Sequence, residues 1–280
     1  MASKQDRLTD LLAALHASSP AGWDDLASTL TRIKEQAAVN SVASPEAIFP
    51  SAANGTAFLT FEYGLDGVSV EIAKYARALE SALQDFSPAP FHLIGGDFHP
   101  HSDRLFNPDM PRYRLPSANG WSKWDGGKWF SALFYKDMPE NNEGSNALAN
   151  EIFSQALSIA DSLGNYILNN NISLLIPVNI ASNPGNIALT LALVLVSEAL
   201  GLAVINSNHD FYWEGGRPAD QRAPGAPPGV RDHFFRNMAN RPFFDLFRSL
   251  YPWNGKHWLQ VNINSRQSTR LVERFSFPPG

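Results

Sequence analysis

The chain has no cysteine, so neither disulfides nor thiolate metal sites can hold it together, which fits the cytosol. It has no basic surplus either: 22 Lys and Arg stand against 27 Asp and Glu, giving a formal charge of −5 and a pI near 5.8. Lys and Arg form no long run that would neutralise a phosphate backbone, and nucleic acid is not expected as a partner. Residues 1–15 carry Lys4, Asp6, Arg7 and Asp10 and lack the apolar core of a signal peptide, which argues against secretion by that route. No clean membrane span is present. Residues 187–205 come nearest, but they contain Thr190, Ser197, Glu198 and Gly201 and divide into a helix and then a strand, whereas a span needs about 20 apolar residues with few charges. Peripheral contact with a membrane surface stays compatible with this composition. What the chain does have is apolar residues, 44% of 280, with 18% charged, enough to bury a sizeable core.

Residues 1–50 read as short helices, at 8–15 and 23–36, forming a helical extension ahead of a main domain over 51–280. Segments 57–61, 91–94, 173–178, 203–206 and 258–263 are short, apolar and bounded by turn residues, the pattern of strands. Between the first two, Val68, Ile72, Tyr75, Ala76, Leu79 and Leu83 recur at three- and four-residue spacing, one face of a helix. Further helices are expected over 146–169, from Asn183 and Pro184 to Gly201, near 231–250, and over 266–275 with Ser265 as cap. Pro184 suits a first helical turn and Gly201 the residue just past a helix end. This alternation predicts an α/β fold, a Rossmann-like doubly wound parallel sheet. Residues 97–144 have weak periodicity, and a loop of that length is usually functional or carries short elements of its own. Residues 277–280, Phe-Pro-Pro-Gly, read as a linker toward a further domain.

Open parallel sheets collect ligands at the carboxyl ends of their strands. The richest such place is Asn206-Ser207-Asn208-His209-Asp210-Phe211-Tyr212-Trp213-Glu214, where polar, aromatic and ionisable groups follow a buried strand. His209 is the candidate catalytic residue there; otherwise it is a histidine satisfying local backbone groups. Candidate binding residues are Asn208, Asp210, Trp213 and Glu214, with Asp97 and Asn183 after two other strands. Gly64-Leu65-Asp66-Gly67 lies between a strand and a helix N-terminus, where backbone can approach an anion, so Gly64, Asp66 and Gly67 join the set. Its spacing departs from the dinucleotide fingerprint. The alternative is a tight turn with glycines at positive φ. His99-Pro100-His101-Ser102-Asp103 reads as a solvated loop rather than a metal site. Trp121, Trp124 and Trp129 either stack on a sugar ring or fold their loop onto the core. A Gly-x-Ser-x-Gly elbow is absent.

Three blocks together resemble family 4 of the retaining GT-B glycosyltransferases. Residues 58–72, Phe-Leu-Thr-Phe-Glu-Tyr-Gly-Leu-Asp-Gly-Val-Ser-Val-Glu-Ile, look like the family's first strand, glycine loop and helix. Asn183-Pro184-Gly185-Asn186-Ile187-Ala188-Leu189, continuing through Gly201-Leu202-Ala203-Val204-Ile205 to His209-Asp210-Phe211-Tyr212-Trp213-Glu214, is similar to a His-Asp-Phe-x-Trp-Glu segment of a bacterial branch and is the most specific block. Val261-Asn262-Ile263-Asn264-Ser265 resembles the strand-to-helix step before the interdomain linker. The likeness covers about residues 56–277. It implies one half of a GT-B fold, the acceptor side of a transferase that moves a sugar from an activated, nucleotide-linked donor to a hydroxyl acceptor. His209 would face the transferred sugar, and the glycine loop would approach the donor diphosphate or the acceptor. No metal or cofactor is required. The family's donor domain, with its paired glutamates, has no counterpart here, so a missing C-terminal domain or a partner chain would have to supply it. The alternatives are a non-catalytic carbohydrate-binding or regulatory module on a glycosyltransferase half-fold, and a glycoside phosphorylase.

Overall fold

The computed structural model describes residues 3–36, 45–86 and 89–277, so the expected linker residues 278–280 lie outside the described residues. Six strands form one sheet: β1 (Thr56–Tyr63), β2 (His92–Phe98), β3 (Arg112–Arg114), β4 (Leu174–Pro177), β5 (Ala203–Asn208) and β6 (Trp258–Asn262). Their order is β3-β2-β1-β4-β5-β6 and every pairing is parallel. The order reverses between β1 and β4, which makes this a Rossmann-like α/β fold. Central strands of such a sheet are covered on both faces and read as continuous apolar runs; in β1 all residues but Glu62 are buried.

Phe58, Ile176 and Ala203 face one side, under α3 (Pro45–Asn54) and α4 (Gly67–Ala82). Leu59, Leu175 and Val204 face the other, under α6 (Glu143–Asn169) and α7 (Ile187–Leu200). A third layer closes over that face: α1 (Lys4–Ser18) packs on α6 and α7, and α2 (Trp23–Gln36) on α8 (Arg241–Leu250). α7 is therefore surrounded, which explains why it is apolar all round and buried along nearly its whole length. No described helix is long and apolar enough to cross a membrane. Leu8, Leu12 and Leu15 form the buried stripe of α1, each contributing about 1.5–3 kcal/mol, and Gly164 on α6 leaves the room that Leu8 occupies.

Several boundaries differ from the sequence reading. α7 begins at Ile187, not at Pro184, because Asn186 caps it: its side-chain oxygen accepts from Leu189 N (2.9 Å). Pro184 and Gly185 belong to the loop before the cap, where Trp121 N donates to the Gly185 carbonyl (2.8 Å). A Cβ on Gly185 would meet the Phe61 ring at 2.8 Å, so close approach is what fixes glycine there. The helix expected near 231–250 is a short 3-10 turn, Asp232–Phe235, followed by α8. Asn240 caps α8, and Asn237 fixes the break by donating to the carbonyls of Leu133 (2.7 Å) and Lys136 (2.9 Å). α9 (Ser265–Phe275) is capped by Asn264 rather than by Ser265. Residues 97–144 contain 3-10 turns at Pro100–Arg104, Pro116–Ala118 and Trp121–Gly127, the edge strand β3, and α5 (Lys128–Phe134).

Candidate functional site

The strand order reverses between β1 and β4, the place where open α/β sheets take ligands at the carboxyl edge. Onto it run the β1–α4 loop, the loop from Val178 to Asn186, and the segment after β5. In the first, Asp66 caps α4: one carboxylate oxygen accepts from Ser69 N (2.8 Å) and the other from Ser69 Oγ (3.1 Å), while Gly64 N donates to Ser69 Oγ (3.0 Å). Neither Gly64 nor Gly67 has positive φ, so that account of the glycines fails. A Cβ on Gly64 would lie 3.1 Å from Asp66 Oδ2, whereas Gly67 faces open space. Gly67 is not required by the fold.

One turn into α4, Glu71 meets the end of β5. Its Oε2 lies 2.7 Å from His209 Nε2, and its Oε1 accepts from Ser207 Oγ (3.2 Å). Tyr75, one turn further along, places its hydroxyl 3.3 Å from Ser207 Oγ. The His209 nitrogen is buried, and the two side chains in contact are only 18% and 24% exposed. Burial raises the Glu71 carboxyl, but Tyr75, His209 and Ser207 together hold it below the usual carboxylate range. The Tyr75 hydroxyl is pushed up by burial and by that carboxylate. The His209 side chain is thus positioned by the helix that follows the glycine loop, and its carbonyl is held by Gln267 Nε2 (2.7 Å).

Other candidate residues have structural partners. Asn208 is fully buried in an amide ladder between β5 and β6, with Asn206, Gln260 and Asn262 at 2.8–3.0 Å. Glu214 accepts from Phe211 N (2.8 Å) and Gln267 Nε2 (3.0 Å), closing the turn after β5. Trp213 stacks on Phe211 (4.1 Å) and on Phe275 (4.8 Å). Asp97 pairs with Arg114 of β3 (3.1 Å), on the far side of β1 from His209.

Asp210 and Asn183 lead to a cleft instead. Asp210 pairs with Arg231 (3.1 Å), whose other nitrogen donates to the Glu214 carbonyl (2.6 Å). Arg231 and Asn183 line a cavity of about 520 Å³ together with Trp121, Phe130, Tyr135 and His233. Tyr135, more than half exposed, lies parallel to the His233 ring (5.1 Å). Burial and the neighbouring Arg231 keep His233 below the ordinary histidine range. Of the tryptophans, Trp121 lines this cleft, whereas Trp124 and Trp129 bind their loop to α6 through Gln155 (2.7 Å) and Glu151 (3.1 Å).

The sequence reading missed Glu71, Ser207 and Tyr75 as a group. It also missed a second cluster at the edge, Glu62 of β1 with His99 (3.1 Å) and Lys123. Burial raises Glu62, but Lys123 and His99 bring it below the usual range. His101 of the same loop is exposed, and Asp103 pairs with Arg112.

No protein-family model matches the chain, and no curated protein matches it. Among solved structures, the C-domain of a bacterial malonyl-CoA reductase with NADP aligns with 78% of this chain and 38% of that one, at 11% identity and a TM-score of 0.27. At that score the likeness carries no argument about ligand or activity.

Proposed function

We propose that this domain is the acceptor side of a retaining hexosyltransferase, completed by a donor-binding domain or partner, with its reaction centre in the crevice between the β1–α4 loop and the end of β5. The observation that carries it is the 2.7 Å contact between His209 and Glu71, which joins the glycine-loop helix and the β5 segment at the switch point. The aromatic cleft beside Asn183 and Arg231 supports carbohydrate as the ligand, because aromatic faces cover the apolar face of a sugar while side-chain amides and hydroxyls meet its edge.

In this reaction the bond from the donor's anomeric carbon to the leaving phosphate breaks. A bond to the acceptor oxygen forms on the same face, and the acceptor proton leaves with the phosphate. Positive charge develops on the sugar, and a carboxylate close by, Glu71 acting through His209, stabilises it. With Nε2 turned to Glu71, Nδ1 is the nitrogen left to meet a ligand hydroxyl. Asp66, Asn208 and Glu214 act indirectly, by holding the loops. Those same commitments favour the second reading, a carbohydrate-binding module without turnover.

The chain, supplied with the donor-binding domain or partner that this reading requires, is to be incubated with uridine, guanosine and adenosine diphosphate sugars and saccharide acceptors, and the products weighed by mass spectrometry. A glycosylated acceptor is expected, with His209→Ala lowering turnover about a hundred- to a thousandfold. Loss of one ordinary hydrogen bond would shift stability by only about 0.5–1.5 kcal/mol. Retained turnover with a sharply lower denaturant midpoint would make His209 structural. Saccharide binding without product from any donor would leave the binding module as the function.

A further inference from the structure

Arg266, Arg270 and Arg274 recur every fourth residue of α9, so their stems lie along one flank of the helix about 6 Å apart. All three are exposed, and together with Trp213, Thr269 and Gln267 they line a groove of about 460 Å³. Five arginines elsewhere are neutralised by aspartates: Arg112, Arg114, Arg222, Arg231 and Arg236. Among the described residues, these three meet no carboxylate within ion-pair distance. Glu273 shares the lining without pairing, and Glu214 is committed to Phe211 N and Gln267. In a chain of net charge −5, so local an uncompensated positive charge stands out against its surroundings.

Trp213 in the groove stacks on Phe211 and Phe275, and the Arg270 guanidinium lies over its ring at 5.2 Å. Burial pushes the neighbouring Tyr212 hydroxyl up, and the charges of Arg248 on α8 and of Arg270 oppose that shift. A guanidinium held on an aromatic face has less freedom to lose on binding, and its planar fork matches a phosphoryl group with two parallel hydrogen bonds.

We propose that this groove is a second binding site, for a small ligand carrying a pyrophosphoryl group or two neighbouring phosphoryl groups. It is distinct from the crevice of His209. Gln267 lines the groove and holds the His209 carbonyl, but the His209 side chain faces Glu71 on α4, whereas the arginines belong to α9. From stems about 6 Å apart, two neighbouring guanidiniums can reach opposite ends of a pyrophosphate, whereas a single orthophosphate engages only one well.

Calorimetric titration of the chain with inorganic pyrophosphate and with orthophosphate tests this. Saturable pyrophosphate binding is expected, with orthophosphate weaker. Arg270→Gln should weaken pyrophosphate about tenfold or more, the effect of losing a charge-assisted hydrogen bond. The Arg266→Gln/Arg274→Gln pair leaves the Trp213 stack untouched and should weaken it comparably, whereas Arg77→Gln/Arg104→Gln, at exposed positions outside the groove, should not. Absence of saturable binding, or equal affinity in the 266/274 pair with an unchanged unfolding midpoint, would overturn the proposal. None of these readouts depends on sugar transfer, so failure of the hexosyltransferase reading and failure of this site are separable.

Discussion

Glu71 sits where α4 crosses the end of β5, and its charge is held by three side chains at once. Glu71→Gln keeps the shape and removes the charge, and should cost about 1–2 kcal/mol near neutral pH, between a surface pair and a charge-assisted hydrogen bond. Because the folded carboxyl titrates below its ordinary value of 4.5, its stabilisation is present above that value and is lost as pH falls through the folded one. Denaturant midpoints of the two proteins should therefore converge in acid; divergence there would contradict the geometry. Gly67 offers a complementary case. With open space at its Cβ and no positive φ, Gly67→Ala should leave stability unchanged or raise it by about 0.4–1 kcal/mol. If the loop approaches a ligand, the same variant weakens binding. A titration in which affinity is unaltered would remove the glycine loop from the site.

Among the elements, α7 shows how sequence becomes fold. Gly201 ends it at φ 58°, and nothing lies near its missing Cβ, so Gly201→Ala isolates backbone strain and should cost about 1–2 kcal/mol by thermal unfolding. Glu198, near the same end, is buried and keeps one unpaired oxygen; its carboxyl is raised by burial, against the hydrogen bond from Trp253. A carboxyl raised in the folded state costs stability once pH exceeds its unfolded value. Glu198→Gln should accordingly raise the midpoint at pH 7 and lose that advantage in acid. Such elements were legible because their signals are local: α2 starts and ends where its apolar spacing does, and Gly201 stops α7 where a left-handed residue is needed. β3 was not legible, since Arg-Tyr-Arg has no apolar pattern and pairs only along the edge, next to β2. Nor was the start of α7, because Asn186 and Pro184 offer competing signals and only the packing of Gly185 against Phe61 decides between them.

At the scale of the molecule, the switch point was readable from the alternation of strands and helices, and with it the edge where ligands gather. The partners of His209 were not. Glu71 is one polar residue of an amphipathic helix, and nothing in its neighbours says that β5, which comes 132 residues after Glu71's neighbour Tyr75 in the case of Ser207, ends beside it. The aromatic cleft depends likewise on residues 97–144 folding back over the β4–α7 loop, through Asn186 holding the carbonyls of Ser117 (2.9 Å) and Asn119 (2.8 Å). The central claim is that this edge is a carbohydrate site, and amide chemical-shift mapping of the chain during titration with mono- and disaccharides addresses it most directly. Saturable shifts are predicted at Gly64–Gly67, at Asn183, at His209 and Asp210, and around Trp121, Tyr135 and His233. Shifts confined to the opposite edge of the sheet, or none at saturating saccharide, would contradict it.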